Sequence, residues 1–190
     1  MLLTITSLFE KIFLNNKKYF LYDLVMPKIT YFVISLICIF LLCFALFLQH
    51  VGWLGVHYPP CPLCIFQRIS FLGIALCCLG AYLINPVRKT FHLLAIAFAG
   101  AGLAVALRHA WVIAHPEVSC GIDPLEVFIN QFSVVQAMPF FFKADGFCNV
   151  PLPPVFFLSV PSWSLLFFCV LFQHLVSTGW TLFKSSESSR

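Results

Sequence analysis

Four cysteines at two spacings are the residues of this 190-residue chain whose types and positions suggest chemistry. Cys61 and Cys64 form a C-x-x-C unit, and Cys120 and Cys148 follow it further along the chain. A thiolate can attack a disulfide and form a mixed disulfide, so two neighbouring cysteine pairs can pass on the two electrons of a dithiol. Such pairs persist as disulfides in oxidising compartments and not in the cytosol. The compartment that each pair faces therefore decides whether this chemistry is available.

The elements that position these cysteines are predicted to be membrane-spanning helices. The chain is 61% hydrophobic and 9% charged, whereas a soluble domain carries about 25% charged residues. A bilayer core about 30 Å thick needs about 20 apolar residues in a helix. Four segments meet this need, and they run from about Ile29 to Gln49, Leu63 to Ile84, Phe91 to Ala114 and Pro161 to Phe183. The predicted fold is an all-α membrane protein with a four-transmembrane-helix bundle.

The basic residues predict the direction of the four spans. Those that flank the spans fall on one side of the membrane: Lys11, Lys17, Lys18, Lys28, Arg88, Lys89, Lys184 and Arg190. Because basic residues in short flanks stay in the cytoplasm, both termini are predicted to be cytoplasmic. A short loop at about 50–62 and a long loop at about 115–160 then lie outside. The net charge of +4 is spread too thinly to form a basic face, so nucleic acid is not expected as a partner.

The predicted organisation has three parts. Residues 1–28 form a cytoplasmic N-terminal extension, residues 29–184 form the four-helix redox domain, and residues 185–190 form a cytoplasmic tail. The extension lacks the short apolar core and the small-residue cleavage site of a signal peptide. Its apolar residues fall near helical spacing, which is compatible with either an interfacial helix or a loose tail.

This topology divides the nine cysteines into two classes. Five of them lie inside predicted spans, where a free cysteine behaves as a small apolar residue: Cys38, Cys43, Cys77, Cys78 and Cys169. The other four, Cys61, Cys64, Cys120 and Cys148, all lie in the external loops. Structural zinc sites usually combine two closely spaced ligand pairs, and the second pair here is widely spaced, so no metal is predicted.

The C-x-x-C unit precedes the second span, so Cys64 is predicted to lie in the first turn of that helix. Free backbone N–H groups and the helix dipole favour a thiolate at this position. Arg68 follows Cys64 by four residues and therefore shares its helix face, where its charge favours the thiolate further. The alternative is an arginine that extends to the membrane interface beside a static disulfide.

The long loop carries an apolar stripe at helical spacing between its two cysteines: Leu125, Phe128, Ile129, Phe132 and Val135. With Glu126 and Asn130 opposite, this pattern predicts a helix that lies on the membrane surface. Packing of the same stripe against the spans is the alternative. The cysteine pair of this loop is either exchange-competent, as exposed disulfides are, or a structural staple.

Electrons that reach the C-x-x-C unit need an acceptor. The sequence has no haem-attachment C-x-x-C-H, no Rossmann fingerprint and no iron–sulfur cysteine run. A lipid-soluble two-electron acceptor meets the requirement most simply, and a quinone is such a molecule. It could reach the first cysteine pair at the bilayer boundary, where Arg68 would stabilise developing negative charge.

Two stretches of the sequence resemble the disulfide bond formation protein B (DsbB) family. The first is Gln49-His50-Val51 followed by Pro60-Cys61-Pro62-Leu63-Cys64-Ile65-Phe66-Gln67-Arg68. The second joins Gly146-Phe147-Cys148 to Phe157-Leu158-Ser159-Val160-Pro161-Ser162-Trp163-Ser164-Leu165, and the resemblance covers about residues 30–180. It implies a protein-disulfide oxidoreductase of the bacterial inner membrane. Such an enzyme reoxidises a periplasmic thioredoxin-fold dithiol oxidase (DsbA-like), delivers the electrons to ubiquinone or menaquinone, and so supports disulfide formation in exported proteins.

The same resemblance implies roles for individual residues. Cys120 would form the mixed disulfide with the partner, Cys148 would resolve it, and Cys61 would exchange with this loop pair. Cys64 would be the thiolate that interacts with the quinone, with support from Arg68.

Arg108 and His109 end the third span and resemble a less distinctive family pattern near the quinone, so both are expected to contribute to its site. Their alternative role is that of interface residues. Two other functions are compatible with the cysteines. One is a vitamin K epoxide reductase-like enzyme, although that family arranges its motifs differently along the chain. The other is a non-catalytic membrane scaffold with structural disulfides.

Overall fold

The computed structural model describes residues 28–115, 127, 130–131, 133–146, 148 and 153–187, with the backbone alone for 134 and 181–187. In this part of the chain the α-helices are α1 (Lys28–His50), α2 (Pro62–Leu83), α3 (Arg88–Ala114), α4 (Ser133–Ala137), α5 (Pro139–Phe142) and α6 (Val160–Glu187). Two isolated β-bridges, Trp53–Val56 and Val155–Leu158, close tight turns beside them. Residues 1–27 of the predicted N-terminal extension, Cys120 and all of the loop's apolar stripe except Val135 lie outside the described residues, and Lys28 begins α1.

Four helices of the described chain are long and apolar enough to cross a membrane. They are Lys28–His50, Pro62–Leu83, Asn85–Ala114 and Val160–Trp180, with mean hydropathies between 1.5 and 2.9. The prediction of an all-α, four-span membrane fold is confirmed. The third span begins earlier than predicted because a 3-10 turn, Asn85–Val87, precedes α3. Its proline stands in the first turn, where the missing N–H costs no hydrogen bond.

One stripe of α3 carries the packing of the bundle. Its buried residues recur every three or four positions: His92, Ala95, Ala99, Gly102, Ala106, His109 and Val112. The middle of the stripe is made of small residues, which let neighbouring helices approach closely within a membrane. α3 accordingly packs against both α2 and α6. A histidine lies towards each end of the stripe, and each is buried in the protein.

His92, towards the start of α3, ties the first span to the third. Its Nδ1 atom is 2.9 Å from the hydroxyl of Tyr31 in α1, and both side chains are at most 1% exposed. A polar side chain inside a membrane bundle faces the protein interior and pairs there. This hydrogen bond therefore fixes the positions of two helices at the end of the bundle remote from the C-x-x-C unit.

Replacing Gly102 by alanine should destabilise the bundle, because the new Cβ would lie 2.2 Å from Phe168 Cε1. Phe168 is fully buried and stacked on Phe71 with ring centroids 4.1 Å apart, so it has little room to move. Overpacking of this kind costs about 1–3 kcal/mol, which thermal unfolding of the detergent-solubilised protein would detect. Gly100→Ala is the matched control, since its Cβ would lie 3.4 Å from Phe172. Equal losses in both variants would contradict the prediction.

Candidate redox site

The C-x-x-C unit lies at the start of α2, as the sequence predicts. The helix begins at Pro62, and the carbonyl of Cys61 accepts the first helical hydrogen bond from the N–H of Ile65 at 3.1 Å. The Sγ atoms of Cys61 and Cys64 are 3.2 Å apart, and both thiols are free. A disulfide needs an S–S distance of about 2.05 Å, so a small side-chain rotation would close it.

Cys148 of the long loop reaches the same place. It is 2% exposed and packs with Cys61 and Val112. Its hydrogen bond with the Cys61 thiol lowers the pKa of Cys148 to about 7. Hydrogen bonds to Cys148 and Cys64, together with burial, raise the pKa of Cys61. Cys61 is therefore the protonated thiol between two neighbours, and Cys148 is the one of this pair that is readily a thiolate near neutral pH.

Backbone contacts between the short loop before α2 and the long loop after α3 bring Cys148 to this position. The carbonyl of Pro60 accepts hydrogen bonds from the N–H groups of Asp145 and Gly146, both at 3.0 Å. A Cβ on Gly146 would lie 2.3 Å from the carbonyl oxygen of Pro59, so only glycine allows this approach. Asn130 secures the same segment, because its side chain exchanges two hydrogen bonds of 3.1 Å with the backbone of Ala144.

The imidazole of His109 lies beside the three thiols Cys61, Cys64 and Cys148. It is 3% exposed, and its Nε2 atom is 3.8 Å from the sulfur of Cys61. On the other side of the ring, Nδ1 is 3.3 Å from the amide nitrogen of Gln67. When Gln67 donates to Nδ1, the ring proton is on Nε2 and faces the thiols. Gln67 was not predicted as a site residue. Its position three residues after Cys64, on the same helix face, could have indicated it.

Arg68 is buried, and its guanidinium is hydrogen-bonded to protein groups. It is 8% exposed. Its Nη1 donates to the side-chain oxygen of Gln49 at 2.7 Å and to the carbonyl of Phe141 at 3.2 Å. Its Nη2 donates to the carbonyl of Ala45 at 3.4 Å. The guanidinium therefore links α1, α2 and α5, and it interacts electrostatically with both Cys64 and Cys61.

The structure does not bring Arg108 to the cluster. This side chain is exposed, and its guanidinium carbon lies 4.4 Å from the ring centroid of Trp111, outside the lining of the cavity beside the cysteines. Adjacent residues of a helix point about 100° apart, so His109 faces the thiols while Arg108 faces outward. The predicted contribution of Arg108 to a quinone site gains no support from this position.

Val135 is the one residue of the predicted apolar stripe in the long loop that the structure describes, and it packs on the helix bundle. Val135 is 8% exposed and contacts Ile65 of α2 and Ala144. Of the two predicted placements, on the membrane surface or against the spans, Val135 has the second, because protein covers its side chain.

An apolar cavity of about 360 Å³ adjoins the thiols, within the range of about 300–1,000 Å³ that ligand pockets occupy. Its polar end is formed by Cys61, Cys64, Gln67, Arg68, His109 and Cys148. The remaining walls are mainly aromatic and aliphatic, among them Phe40, Phe44, Leu48, Phe71, Val155 and Trp163. Such a cavity fits a flat molecule with polar groups on its ring and an apolar tail, and the donor set therefore fits a quinone.

Free thiols in mutual contact at the end of a four-span helical bundle define a membrane-bound thiol–disulfide oxidoreductase. The model of the family described as disulfide bond formation protein DsbB matches residues 27–177. The chain belongs to the DsbB family. The predicted class of enzyme, a protein-disulfide oxidoreductase that acts in disulfide bond formation, is thereby confirmed.

Curated relatives agree with this assignment over most of the chain. A protein named disulfide bond formation protein B from Cupriavidus necator is 40% identical over 157 residues, which cover 83% of this chain and 88% of the relative. One of the same name from Herminiimonas arsenicoxydans is 40% identical, with coverages of 78% and 92%. Another from Nitrosomonas eutropha is 41% identical, with coverages of 74% and 87%.

Gly146→Ala should separate Cys148 from Cys61, because the new Cβ would collide with backbone and not with a side chain that can rotate away. The measurement is the rate at which mild oxidant joins Cys61 to Cys148 in a Cys64→Ser, Cys120→Ser background, followed by mass spectrometry of the linked peptides. We expect the rate to fall at least about tenfold, since misplacement by about 1 Å is enough for a large loss.

Asp145→Ala is the matched control for the Gly146 variant. It keeps the backbone N–H that bonds to Pro60 and removes only an exposed ion pair with Lys143, and exposed pairs contribute about 0–1 kcal/mol. If Gly146→Ala crosslinks as fast as this control, the loop contact does not position the thiol.

Proposed function

We propose that this protein is a quinone-linked thiol oxidase that reoxidises a periplasmic DsbA-like dithiol oxidase. One observation carries the proposal: Cys61 contacts both Cys64 and Cys148 at the polar end of an apolar cavity. A thiol with two such neighbours can exchange a disulfide with either of them. Both thiols of the C-x-x-C unit line this cavity, so a lipid-soluble acceptor bound there could contact them.

The proposed exchange moves two electrons from the partner to the C-x-x-C pair. The partner's thiolate attacks Cys120 of a Cys120–Cys148 disulfide, which forms a mixed disulfide and releases Cys148 as a thiolate. Cys148 attacks Cys61 of a Cys61–Cys64 disulfide and releases Cys64 as a thiolate. The partner's second thiol then breaks the mixed disulfide, and Cys120 displaces Cys61 from Cys148. In the reverse direction, Cys148 is the thiolate that resolves the mixed disulfide.

The pKa of Cys148 near 7 suits both of its roles. A sulfur with a lowered pKa leaves more readily. A larger fraction of it is then a nucleophilic thiolate than the few per cent of an ordinary cysteine at pH 7. The raised pKa of Cys61 makes it the poorer leaving group of the C-x-x-C pair, which favours the release of Cys64 towards the cavity.

The residues that would hold a quinone are Arg68 and His109 at the polar end, with Cys64 beside them. A bound quinone, ubiquinone or menaquinone, would supply the capacity to accept two electrons and two protons. Arg68 is held by acceptors from α1 and α5, so its charge is fixed in place in a low-dielectric site before any negative charge develops. When Gln67 donates to Nδ1, His109 offers a proton on the nitrogen that faces the thiols.

Cys64→Ser should abolish quinone reduction by the purified protein when a reduced thioredoxin-fold dithiol protein is the electron donor. Electrons would stop at the loop pair, so we expect the rate, followed by the loss of quinone absorbance, to fall at least about 100-fold. Cys43→Ser is the matched control and should keep the full rate, because Cys43 is an exposed cysteine of α1 that does not line the cavity. An unchanged rate in Cys64→Ser would refute the proposed electron path.

We also propose the location and the orientation of the chain. The protein spans the bacterial inner membrane with both termini in the cytoplasm and with the loops at about 50–62 and 115–160 in the periplasm. The support is the distribution of basic residues around the four spans. The division into an extension at 1–28, a redox domain at 29–184 and a tail at 185–190 belongs to the same proposal.

Two cysteine reporters on opposite sides of the bundle test this orientation. Lys143→Cys lies in the long external loop and Lys89→Cys lies between the second and third spans, and both positions are exposed. A membrane-impermeant maleimide added to intact spheroplasts should modify the first reporter and should reach the second only after permeabilisation. The opposite pattern would reverse the orientation and place the thiols in the cytoplasm.

A further inference from the structure

The reduced redox site has the geometry of a soft-metal site. Ligand atoms of Cys61, Cys64 and His109 all lie within 4.8 Å of one another. Cys148 packs against Cys61 but lies outside this group of three, so it becomes a fourth donor only by moving closer to the other two. Tetrahedral zinc, with bonds of about 2.3 Å to sulfur and about 2.0–2.1 Å to nitrogen, places its donors about 3.5–3.8 Å apart. The distances of 3.2 Å from Cys61 to Cys64 and 3.8 Å from Cys61 to His109 are close to this spacing.

We propose that the reduced form of this site binds a soft divalent cation of the Zn²⁺ or Cd²⁺ type through Cys61, Cys64, Cys148 and His109. Three thiolates and one imidazole are an established ligand set for zinc. The spacing of the four cysteines outside the predicted spans did not indicate a metal, and this set includes no histidine ligand. The structure provides a different set, in which a histidine from α3 joins the C-x-x-C pair and one cysteine of the long loop.

Charge and protons balance in this site. Three thiols each release one proton, and three thiolates around a divalent cation leave one net negative charge. The guanidinium of Arg68 is buried and interacts electrostatically with both thiols of the C-x-x-C unit, so it offsets that charge. Coordination through Nε2 of His109 requires the ring proton to be on Nδ1. The side chain of Gln67, which lies next to Nδ1, would then turn its amide oxygen towards the ring and accept a hydrogen bond from Nδ1–H. A partner of this kind orients metal-binding histidines in general.

Metal and disulfide exclude each other at this site. Sulfur atoms joined in a disulfide are no longer thiolate ligands, so oxidation of either cysteine pair releases the cation. A bound cation in turn holds the thiolates that exchange requires. The site therefore makes the reduced enzyme sensitive to soft metals while the oxidised enzyme is not. Metal binding is independent of the proposed quinone activity, whereas inhibition of turnover rests on it.

Titration of the purified full-length protein with Cd²⁺ tests the proposal without any activity measurement. The protein is reduced with a phosphine, desalted without oxygen and titrated while the ultraviolet absorption of cadmium–thiolate bonds is followed. We expect one Cd²⁺ per reduced chain and none in the disulfide form. His109→Ala should weaken binding at least about tenfold, since even outer partners of metal ligands contribute about 10–100-fold. Cys61→Ser should weaken it further.

The double variant Cys43→Ser, Cys169→Ser is the matched control, because it removes two exposed thiols of the spans and leaves the proposed ligands. It should bind Cd²⁺ as the unaltered chain does, and thermal unfolding confirms that each variant is folded. The proposal is overturned if the reduced chain binds no Cd²⁺, if His109→Ala binds it equally well, or if the control loses it.

Turnover separates this proposal from the proposed function. Cadmium should slow quinone reduction when added to the reduced protein and should have no effect on the initial exchange of the oxidised protein. If the protein binds Cd²⁺ in the titration but does not reduce quinone when assayed without metal, the proposed function alone is refuted. Binding of Cd²⁺ without loss of turnover would refute the inhibition.

Discussion

The geometry of the redox site depends on one carbonyl group. Pro60 accepts two backbone hydrogen bonds from the segment that precedes Cys148, and Gly146 allows the backbones to touch. Pro60 has no backbone N–H of its own to satisfy, and Pro62 starts the helix immediately after Cys61. The prolines around Cys61 thus hold the short loop in an extended form whose carbonyl is available to the long loop. This contact places Cys148 beside Cys61 at the start of α2.

A second constraint comes from the membrane. A charged group at the edge of the bilayer is costly unless it is paired, and Arg68 is satisfied by groups from α1 and α5 as well as by its proximity to the thiols. The same bonds that compensate the buried charge hold the loop helix α5 beside the first span. Stability and electrostatics are therefore coupled here, because a guanidinium that left this position would release both the loop and the charge that favours thiolates.

The sequence predicted the spans because hydropathy and span length are local properties, and it predicted the place of Cys64 because a C-x-x-C unit at a helix start has a fixed geometry. The contact between Pro60 and Gly146 could not be predicted from the sequence, because no spacing rule relates residues so far apart in the chain. The separate positions of Arg108 and His109 could have been predicted. His109 continues the series of Ala95, Ala99, Gly102 and Ala106 at helical spacing, and Arg108 does not. The role of Cys120 and the structure of residues 1–27 lie outside the described residues and remain predictions.

The buried stripe of α3 has a consequence for how variants of this protein behave. His109 stands two helical turns, about 10.5 Å, beyond Gly102 on one rigid rod, and Phe168 presses on that rod from α6. A change in side-chain volume deep in the bundle tilts or slides the rod, and the imidazole moves with it relative to the sulfur atoms. Substitutions in the bundle core can thus alter electron transfer without touching a reacting group, and a genetic selection for activity would recover them alongside the cysteines.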